Sequence, residues 1–475
     1  MRFLPAEYDL VILGQGAAAF AAAIKADELG VKTALVGKNR TKETLLGGTC
    51  VNVGCVPSKR MLTVGVSYQE SIEGPFKAIR YGKSSLDFEK AVAEKDVLVR
   101  RFRRQKYADV VKGLQKVDYI QGAAIFASSS EVKVGGRAVS GRRFLIATGA
   151  RASVPRVEGI DGVDYITNEE ALSLGKLPTS MIVVGGRALG LEFAQMYAHF
   201  GTEVTVLQRS ERILPDHEPE ISTVLRQSLE GEGIQIQTGV RLDEVVQKGS
   251  TKIVRATVGG ARRVFEAEEL LLATGRTPNT DRLNTTKAGV VLNDYGFVEV
   301  SDGMQTSAPN IWAAGDVIGE PMLETVAAKE GAIAVSNAFT NEKRHIDFNE
   351  VPRAVFTSPE VASVGLTDAQ ANGQGIKCAC GVLPLDLVPK ASIIGDTRGL
   401  VKLVADRETK WIVGVHVMAP HAADLIHEGV LAVKFKLTID DIIDTVHIFP
   451  TLSEGIKLAA QSFYRDVGSL SCCVE

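Results

Sequence analysis

The sequence predicts an α/β fold that contains two βαβ units and ends in a domain of the α+β class. Near the N-terminus a buried strand, a glycine-rich turn and an alanine-rich helix follow one another, and the same order returns after residue 180. After about residue 345 the pattern changes to strand-rich segments followed by helices. Because one hydrophobic core rarely grows beyond about 250–300 residues, a chain of 475 residues also predicts several domains.

The first βαβ unit begins with the continuous apolar strand at residues 8–13 and reaches its second strand at residues 31–37. Its turn reads G-Q-G-A-A-A. Gly14 makes the tight turn, Gly16 lets the backbone approach a pyrophosphate, and Ala19 holds the third position of the dinucleotide fingerprint. Since strand and helix both stand in the required places, the pattern favours a dinucleotide site over a chance glycine turn.

The second unit reads SMIVVGGRALGLEFAQMYAHFGTEVTVL, with Gly185 and Gly190 at the outer glycine positions and Arg187 in the middle one. An NAD site would have Asp or Glu at the end of the second strand, to bind the ribose hydroxyls. Here Arg209 and Arg212 follow that strand. Basic side chains suit a 2′-phosphate, so the sequence predicts that this unit binds NADPH. The alternative, that the two arginines are ordinary surface residues without a binding role, is less favoured.

Two dinucleotide-binding units in one chain predict a flavin paired with a nicotinamide. The segments FLIATGA and LLLATGR each read as a strand with an Ala-Thr-Gly turn, which adds Gly149 and Gly275 to the candidate cofactor-binding residues. A further strand, in NIWAAGDV, ends at Asp316. The predicted boundaries are residues 1–150 and 276–345 for the flavin domain, 151–275 for the nicotinamide domain and 346–475 for the α+β domain.

Charge and hydropathy exclude several classes of function. The formal net charge of −3 gives no reason to expect a nucleic-acid or anionic-membrane partner, and no apolar run is long enough to span a bilayer. The run AAAFAAAI follows a strand with Glu7 and Asp9 ahead of it, not the basic head of a signal peptide. We therefore expect a cytoplasmic protein, in which six cysteines indicate redox chemistry or soft metals rather than a disulfide framework.

One cysteine pair has the surroundings of reactive thiols. In CVNVGCVPSK, Pro57 is placed to open a helix, which would put Cys50 and Cys55 near a helix N-terminus. That position lowers a thiol pKa, and Lys59 adds positive charge nearby. The fixed offsets of the glycines, the proline and the lysine favour a redox dithiol over a structural pair.

Together, GGTCVNVGCVPSK, the two fingerprints, the ATG turns and AAGD resemble the flavoprotein pyridine-nucleotide disulfide oxidoreductases over nearly the whole chain. The resemblance implies two Rossmann-like nucleotide-binding domains, for FAD and NADPH, and a C-terminal dimerisation domain in a homodimer. It also implies that electrons pass from NAD(P)H through FAD to the dithiol, with Cys55 against the flavin and Cys50 as the interchange thiol.

The C-terminal region indicates which branch of this family the chain resembles. Glutathione and lipoamide reductases carry a His-Pro-Thr whose histidine protonates a leaving thiol, followed by a glutamate. Here HIFPTLSEG has Phe449 in place of that histidine, while Glu454 remains and His447 lies two residues earlier. Thiol–disulfide exchange needs a proton donor for its leaving group, whereas reduction of a bound metal ion does not.

The last residues, SLSCCVE, add a second dithiol, Cys472 and Cys473, and resemble the tail of the mercuric reductases. Hg(II) is soft and prefers thiolate ligands. The resemblance implies that small-molecule thiols carry Hg(II) to Cys472 and Cys473 of one subunit. The tail would then pass the ion to Cys50 and Cys55 of the partner subunit, in an active site shared between subunits, for reduction to Hg(0).

Further roles follow from matching positions in the family. Lys59 corresponds to the lysine near flavin N5, paired with Glu192, and Tyr107 to one of two active-site tyrosines. Positions that match FAD contacts are Ala19, Thr49, Ala124, Asp316 and Glu324.

Several positions depart from the family pattern. Thr451 stands where the second tyrosine is expected, and Gly37 where an acidic residue would bind the FAD ribose, with Glu43 as a candidate substitute. The small metal-binding domain with a Cys-x-x-Cys, found ahead of the flavin domain in many mercuric reductases, is not expected in this chain. Cys378 and Cys380 would share one face of a strand, but with no third ligand in view packing is favoured over a metal site.

Three other functions compete with mercury reduction. A disulfide reductase such as dihydrolipoamide dehydrogenase is disfavoured by Phe449 and by the C-terminal Cys-Cys. A mercury sequestrant or a flavoprotein sensor without turnover is disfavoured by the intact redox motif and by Lys59 with Glu192. High-molecular-weight thioredoxin reductases also end in a redox pair, usually with selenocysteine or differently placed cysteines.

Overall fold

The computed structural model describes residues 7–38, 46–82 and 84–469. The chain forms two compact units. The first comprises Met1–Ser58, Ala93–Ser153 and Gly275–Ile346, and the second comprises Lys59–Val92, Val154–Thr274 and Asp347–Glu475. The structure thus groups residues 59–92 with the second unit and not with their sequence neighbours. The predicted domain boundaries stay predictions.

Runs of strands are interspersed with helices along the chain. The strands are β1 (Tyr8–Leu13), β2 (Thr33–Gly37), β3 (Val117–Gln121), β4 (Ala124–Ser128), β5 (Glu131–Val134), β6 (Arg137–Ile146), β7 (Ala150–Ala152), β8 (Ser180–Val184), β9 (Glu203–Leu207), β10 (Gln235–Gln237), β11 (Val240–Lys248), β12 (Thr251–Val258), β13 (Ala261–Ala267), β14 (Glu269–Leu272), β15 (Arg276–Pro278), β16 (Ile311–Ala313), β17 (Arg353–Val355), β18 (Glu360–Gly365), β19 (Cys378–Pro384), β20 (Leu400–Asp406) and β21 (Ile412–Ala419).

The helices differ widely in length. They are α1 (Ala17–Glu28), α2 (Gly48–Val53), α3 (Cys55–Ile72), α4 (Phe88–Arg103), α5 (Asp109–Gly113), α6 (Asn168–Ala171), α7 (Ala188–Phe200), α8 (Pro219–Gly231), α9 (Thr285–Ala288), α10 (Glu324–Phe339), α11 (Asp368–Gly373), α12 (Pro389–Ile394), α13 (Ala422–Lys434), α14 (Ile439–Asp444) and α15 (Glu454–Gln461). A π-helical turn, Arg104–Ala108, lies between α4 and α5.

The first unit is built on a seven-stranded sheet in the order β3-β2-β1-β6-β5-β4, with β16 also paired to β6. Strands β3, β2, β1, β6 and β16 run parallel, with Leu10 opposite Thr33 in the register. Parallel strands covered on both faces are mainly apolar, which is why β1 continues from Tyr8 and Asp9 into the buried apolar run LVIL. Helices α1 and α10 pack so closely that there is no room for a side chain at Gly331: a Cβ there would lie only 2.1 Å from the carbonyl oxygen of Ala18.

The second unit contains a four-stranded parallel sheet in the order β10-β9-β8-β14 and a three-stranded antiparallel sheet of β11, β12 and β13. Its C-terminal part is a five-stranded antiparallel sheet in the order β17-β18-β21-β20-β19. Residues of α13, α14 and α15 complete the apolar core on that sheet. The predicted fold class is confirmed: two dinucleotide-binding parallel sheets and a C-terminal α+β part. None of the described helices combines the length and the apolar character needed to cross a bilayer.

Candidate active site

The two cysteines of CVNVGC lie on consecutive short segments of helix. Cys50 is in α2 and is partly buried, whereas Cys55 is the first residue of α3 and is exposed; both are present as thiols. Gly54 joins the two helices at a point where a Cβ would lie 2.9 Å from the carbonyl oxygen of Thr49. The sequence predicted that Pro57 opens the helix, but α3 begins at Cys55. Pro57 is still within the first turn, where its missing N–H removes no helical hydrogen bond.

The acidity of Cys50 differs from the sequence-based expectation. A helix N-terminus was expected to lower the thiol pKa, but the pKa of Cys50 is raised. The largest cause is its hydrogen bond with Cys55, followed by burial and by the charge of Glu324. The carboxylate and the second thiol therefore outweigh the helix end at this position.

A partly buried acid, Glu324, completes this cluster in the first unit. The hydroxyl of Tyr107, on the π-helical turn, donates to Glu324 Oε1 at 3.2 Å, and Glu324 also hydrogen bonds with Cys50. The ring of Phe20 packs edge-on against Tyr107 with centroids 4.8 Å apart. Burial raises the pKa of Glu324 and of Tyr107. The structure thus brings together Cys50, Cys55, Tyr107 and Glu324, and gives Glu324 a thiol contact that sequence reasoning missed.

The pair predicted from the family, Lys59 and Glu192, forms a short ion pair in the second unit. Lys59 Nζ lies 2.7 Å from Glu192 Oε2, and the carboxylate is almost wholly buried. The other oxygen, Oε1, accepts a hydrogen bond from the backbone N–H of Phe356 at 2.9 Å. The ring of Phe356 also lies 4.5 Å from the Lys59 ammonium. Phe356 was not predicted, because nothing in the sequence links an aromatic residue after β17 to this lysine.

The glycine turn of the first unit has the shape that a dinucleotide needs. Gly14 has φ of +145°, and a Cβ there would lie 2.0 Å from the carbonyl oxygen of Ala147. Helix α1 follows Gly16 without a side-chain cap and without an acidic residue in its first turn. Its first N–H groups therefore face no competing side chain, as binding of a pyrophosphate requires. Buried Ala19 continues the same helix.

Asp316 lies in a second turn of the first unit, directly after Gly315. Arg276 Nε approaches Asp316 Oδ2 at 3.5 Å, and burial raises the pKa of the aspartate. The backbone N–H of Gly315 donates at 2.7 Å to Glu330 Oε2, a carboxylate on α10 that is 2% exposed. Burial raises the pKa of Glu330 to about 7. Sequence reasoning missed Glu330; the available signal was a charged residue among alanines in the middle of a helix.

The remaining candidates for FAD contacts are spread over several elements of the first unit. Thr49 is in α2 and Ala124 begins β4. Gly149 and Gly275 both have positive φ, and their carbonyl oxygens accept hydrogen bonds from Asn279 and Ser153 across the β7–β15 ribbon.

The nicotinamide fingerprint of the second unit is equally tight. A Cβ at Gly185 would lie 2.2 Å from the carbonyl oxygen of Ala273, and one at Gly190 would lie 1.9 Å from that of Gly185. Arg187, which stands at the middle position where the fingerprint has glycine, forms an ion pair with Asp216. These contacts explain why the outer positions need glycine and the middle one tolerates arginine.

The residues after β9 differ in their surroundings. Gln208 is buried, and its Oε1 accepts a hydrogen bond from Gly186 N at 2.8 Å. Arg209 is exposed. Arg212 is half-buried and donates to the carbonyl oxygens of Pro215 at 2.7 Å and His217 at 3.1 Å. The structure therefore leaves Arg209 at the surface and engages Arg212 with its own loop.

At the C-terminal end, the position of the family histidine holds Phe449, which is 46% exposed. His447 Nε2 lies 2.9 Å from Glu428 Oε1, and that contact raises the histidine pKa. Burial raises the pKa of Glu454, and its Oε2 has no hydrogen-bond partner among the described residues. Thr451 donates to the carbonyl oxygen of Ile448 at 2.7 Å. Gly37 is the last residue of β2; Glu43, Cys472 and Cys473 lie outside the described residues.

Comparison with known proteins places these features in one family. A family profile described as pyridine nucleotide-disulphide oxidoreductase matches residues 8–331, and the dimerisation domain of the same family matches residues 351–460. A mercuric reductase of Lysinibacillus sphaericus is 43% identical over 466 residues, which cover 98% of this chain and 84% of the relative. A mercuric reductase of Streptomyces lividans is 40% identical over 474 residues, 98% of each chain.

Other relatives carry different names. A mitochondrial dihydrolipoyl dehydrogenase of Arabidopsis thaliana is 36% identical over 470 residues, 96% of this chain and 90% of the relative. The solved structure of the HOCl-induced flavoprotein disulfide reductase RclA of Escherichia coli has a TM-score of 0.84 and 27% identity, covering 94% of this chain and 98% of that chain. The chain is therefore a flavoprotein oxidoreductase that belongs to the pyridine nucleotide-disulphide oxidoreductase family, with FAD and a pyridine nucleotide as cofactors and a dimerisation domain that supports a homodimer.

Proposed function

We propose that this enzyme is an NADPH-dependent mercury(II) reductase that converts Hg(II) to Hg(0). The observation that carries the proposal is the retained dithiol, Cys50 and Cys55, in a chain whose position 449 holds phenylalanine. A dithiol suits both disulfides and thiophilic ions, but thiol–disulfide exchange needs a proton donor that Phe449 does not supply. Relatives named mercuric reductase, 40–43% identical over nearly the whole chain, support the same substrate.

In this proposal Cys50 and Cys55 bind Hg(II) as thiolates, and each thiol loses its proton when the ion binds. Bound FAD, once reduced by NADPH, would supply the two electrons that convert Hg(II) to Hg(0). Cys50, as the interchange thiol, would receive the ion, and Cys55, as the thiol against the flavin, would complete a two-sulfur site. Hg(0) has lost the charge that favoured thiolate ligands and leaves, so the dithiol returns unchanged in redox state.

Residues of both units would hold the cofactors. The tight turn at Gly14 and Gly16, the uncapped start of α1 and the turn at Asp316 fit FAD. The Lys59 ammonium, fixed by Glu192 and Phe356, would place a positive charge beside the flavin ring.

The turn at Gly185 and Gly190 fits the pyrophosphate of the nicotinamide coenzyme, and exposed Arg209 supports a 2′-phosphate. We therefore propose NADPH as the electron donor. In Arg209→Glu, the KM for NADPH should rise at least roughly tenfold while the KM for NADH does not, because a charge-assisted hydrogen bond is lost only with NADPH. Equal changes with both coenzymes would contradict the assignment.

The C-terminal dithiol extends the proposal to delivery of the metal. Cys472 and Cys473 would take Hg(II) from small-molecule thiols and pass it to Cys50 and Cys55 of the partner subunit by ligand exchange. Thiolates on a chain terminus suit this role because exchange between soft ligands needs two sulfurs to approach the ion together. The requirement for NADPH and for reduced thiols supports a cytoplasmic location.

The test is anaerobic NADPH oxidation by the purified holoenzyme with HgCl₂ and excess monothiol, with Hg(0) vapour measured. The double variant Cys472→Ala/Cys473→Ala is compared with the wild type. Release of Hg(0) that weakens in the variant would support both reduction and tail delivery. Hg(0) release that is unchanged in the variant would remove the delivery role alone.

The second candidate is a disulfide reductase of the lipoamide type. It is favoured by the 36% identical dihydrolipoyl dehydrogenase and by His447, whose pairing with Glu428 raises its pKa and keeps a proton donor near Phe449 in the chain. Lipoamide and oxidised glutathione are the competing substrates in the same assay. Turnover with a disulfide and no Hg(0) would overturn the mercury proposal, and loss of that turnover in His447→Gln would identify the donor.

A further inference from the structure

The remaining cysteines, Cys378 and Cys380, lie on β19, the edge strand of the C-terminal sheet. Alternate residues of a strand point to opposite faces, so the two thiols share one face. Gly381 lies on the other face, where a Cβ would be 2.6 Å from the carbonyl oxygen of Ala459 in α15. Cys378 is 8% exposed, while Cys380 is open to solvent. One thiol is thus fixed by packing and its neighbour is accessible.

Polar and charged groups surround the pair. Cys378 Sγ lies 2.9 Å from Asp368 Oδ1, and the charges that act on Cys380 come from Lys402, Asp368 and Glu218. The pair therefore combines a buried thiol beside a carboxylate with a solvent-accessible thiol.

The spacing of the two thiols favours an ion over a disulfide. Residues two apart on a strand have Cα atoms about 6.6 Å apart, near the upper limit for a disulfide. In a disulfide the two sulfurs lie about 2.05 Å apart. To reach that distance, each of the two parallel side chains would have to tilt along the strand by more than the length of a C–S bond. An ion with metal–sulfur bonds of about 2.3 Å needs sulfurs only about 4.6 Å apart, which asks each to lean by about 1 Å.

The number of ligands narrows the class of ion. Among the described residues, no group of three or more His, Cys, Asp or Glu side chains is placed to hold a metal. A structural zinc ion takes four ligands, whereas the soft d10 ions Hg(II) and Cu(I) take two thiolates in a nearly linear arrangement. We propose that Cys378 and Cys380 form a second metal site, in which two thiolates hold one soft d10 cation, Hg(II) or Cu(I). On binding from a complex with two small-molecule thiolates, two metal–sulfur bonds to the protein form and two to the carrier break; the two protein thiol protons pass to the released thiolates, and neither metal nor sulfur changes oxidation state.

The test measures retention of metal, so its outcome does not depend on mercury reduction. Oxidised holoenzyme with Cys472→Ala/Cys473→Ala is mixed with HgCl₂ and excess monothiol, desalted, and analysed for mercury per subunit. Cys380→Ser removes the exposed ligand without disturbing the packed thiol. Val382→Ser, at a half-exposed position on the same strand face, is the matched control. Parallel samples receive Cu(I) or Zn(II) alone.

The background protein and Val382→Ser should each retain about one Hg(II) or one Cu(I) per subunit, with two sulfur neighbours at about 2.3 Å by X-ray absorption. Cys380→Ser should lose that ion while NADPH oxidation stays at the background rate. Equal retention in Cys380→Ser, a single sulfur neighbour, or equal retention of Zn(II) would overturn the site. Retention by this protein, together with no Hg(0) release by the wild-type enzyme in the NADPH assay, would contradict the proposed function alone.

Discussion

At the residue scale, the hydrogen bond with Cys55, burial and the contact with Glu324 together raise the pKa of the Cys50 thiol. Glu324 is itself partly buried, which raises its pKa, and its hydrogen bonds with Cys50 and Tyr107 favour its charged form. A carboxylate beside a thiol disfavours the thiolate, because two negative charges would then share a poorly solvated site. A metal ion that binds Cys50 removes this conflict by supplying positive charge. The cluster therefore disfavours a free thiolate more than a metal-bound one.

Replacing Glu324 by a neutral residue should make the Cys50 thiol more acidic. In Glu324→Gln, we expect the pKa of Cys50 to fall by about one unit or more, because the negative charge is lost while a hydrogen-bonding side chain remains. The measurement is the pH dependence of Cys50 alkylation in the reduced enzyme, followed by mass spectrometry so that Cys55 is scored separately. Asp109→Asn, an exposed acid two residues after Tyr107, is the control and should leave the profile unchanged. An unshifted profile in Glu324→Gln would show that the carboxylate does not control the thiol.

At the scale of elements, Glu330 ties helix α10 to the turn that carries Asp316. Its pKa of about 7 in the folded protein lies above the ordinary value of 4.5 in the unfolded chain. The folded state thus binds more protons between these values, and stability falls as pH rises from about 4.5 to 7. The full shift corresponds to about 3 kcal/mol. In Glu330→Gln we expect the pH dependence of urea unfolding over this range to flatten, whereas exposed Glu342→Gln should keep the wild-type slope.

The approach of α1 to α10 depends on a single missing side chain. A Cβ at Gly331 would lie 2.1 Å from the carbonyl oxygen of Ala18, a backbone atom that can move only with its helix. Gly331→Ala should therefore destabilise the protein by about 1–3 kcal/mol despite the better helix propensity of alanine. The midpoint of urea unfolding measures the effect. Gly113→Ala, where an added Cβ meets open space, is the control and should be neutral or stabilising.

Local pattern was enough to predict some of these elements and not others. Strand β1 has its predicted bounds, because a strand buried on both faces is mainly apolar, and Asp9 is the one charged residue of this strand. The second strand begins at Thr33 rather than at residue 31, since frayed ends leave no compositional mark. The π-helical turn that carries Tyr107 has no sequence signature, and the contact between Glu324 and Cys50 joins residues far apart in sequence. Sequence motifs were enough to identify the residues that carry the chemistry. Contacts such as those of Glu324 with Cys50 could be identified only from the folded structure.

At the scale of the whole molecule, the segment from Lys59 to Val92 shows what sequence order hides. It follows the dithiol without a break, yet Met61, Leu62 and Phe88 join the core of the second unit. The ring of Phe88 packs against Phe200 of α7 with centroids 5.6 Å apart. Helix α3 therefore begins in one unit with Cys55 and continues into the other. Only long-range packing decides such a division, so composition along the chain predicted one continuous domain there.

The proposed sharing of the active site between subunits makes a prediction about mixed dimers. One subunit carries Cys50→Ser and an intact tail, and its partner carries Cys472→Ala/Cys473→Ala with an intact Cys50. If the tail of each subunit serves the other, the mixed dimer contains one complete site of two. It should then show about half of the wild-type, tail-dependent Hg(0) release.

The two subunits would be co-expressed with different affinity tags and purified through both, so that only mixed dimers are assayed. If instead each tail serves its own subunit, neither site has both dithiols, and tail-dependent activity should vanish. A dimer of wild-type with a subunit that lacks Cys50 and both tail cysteines gives the reverse pattern. It keeps half the activity only when the tail acts within its own subunit, because sharing would leave each of its sites without one dithiol. The two mixed dimers together therefore separate delivery between subunits from delivery within one.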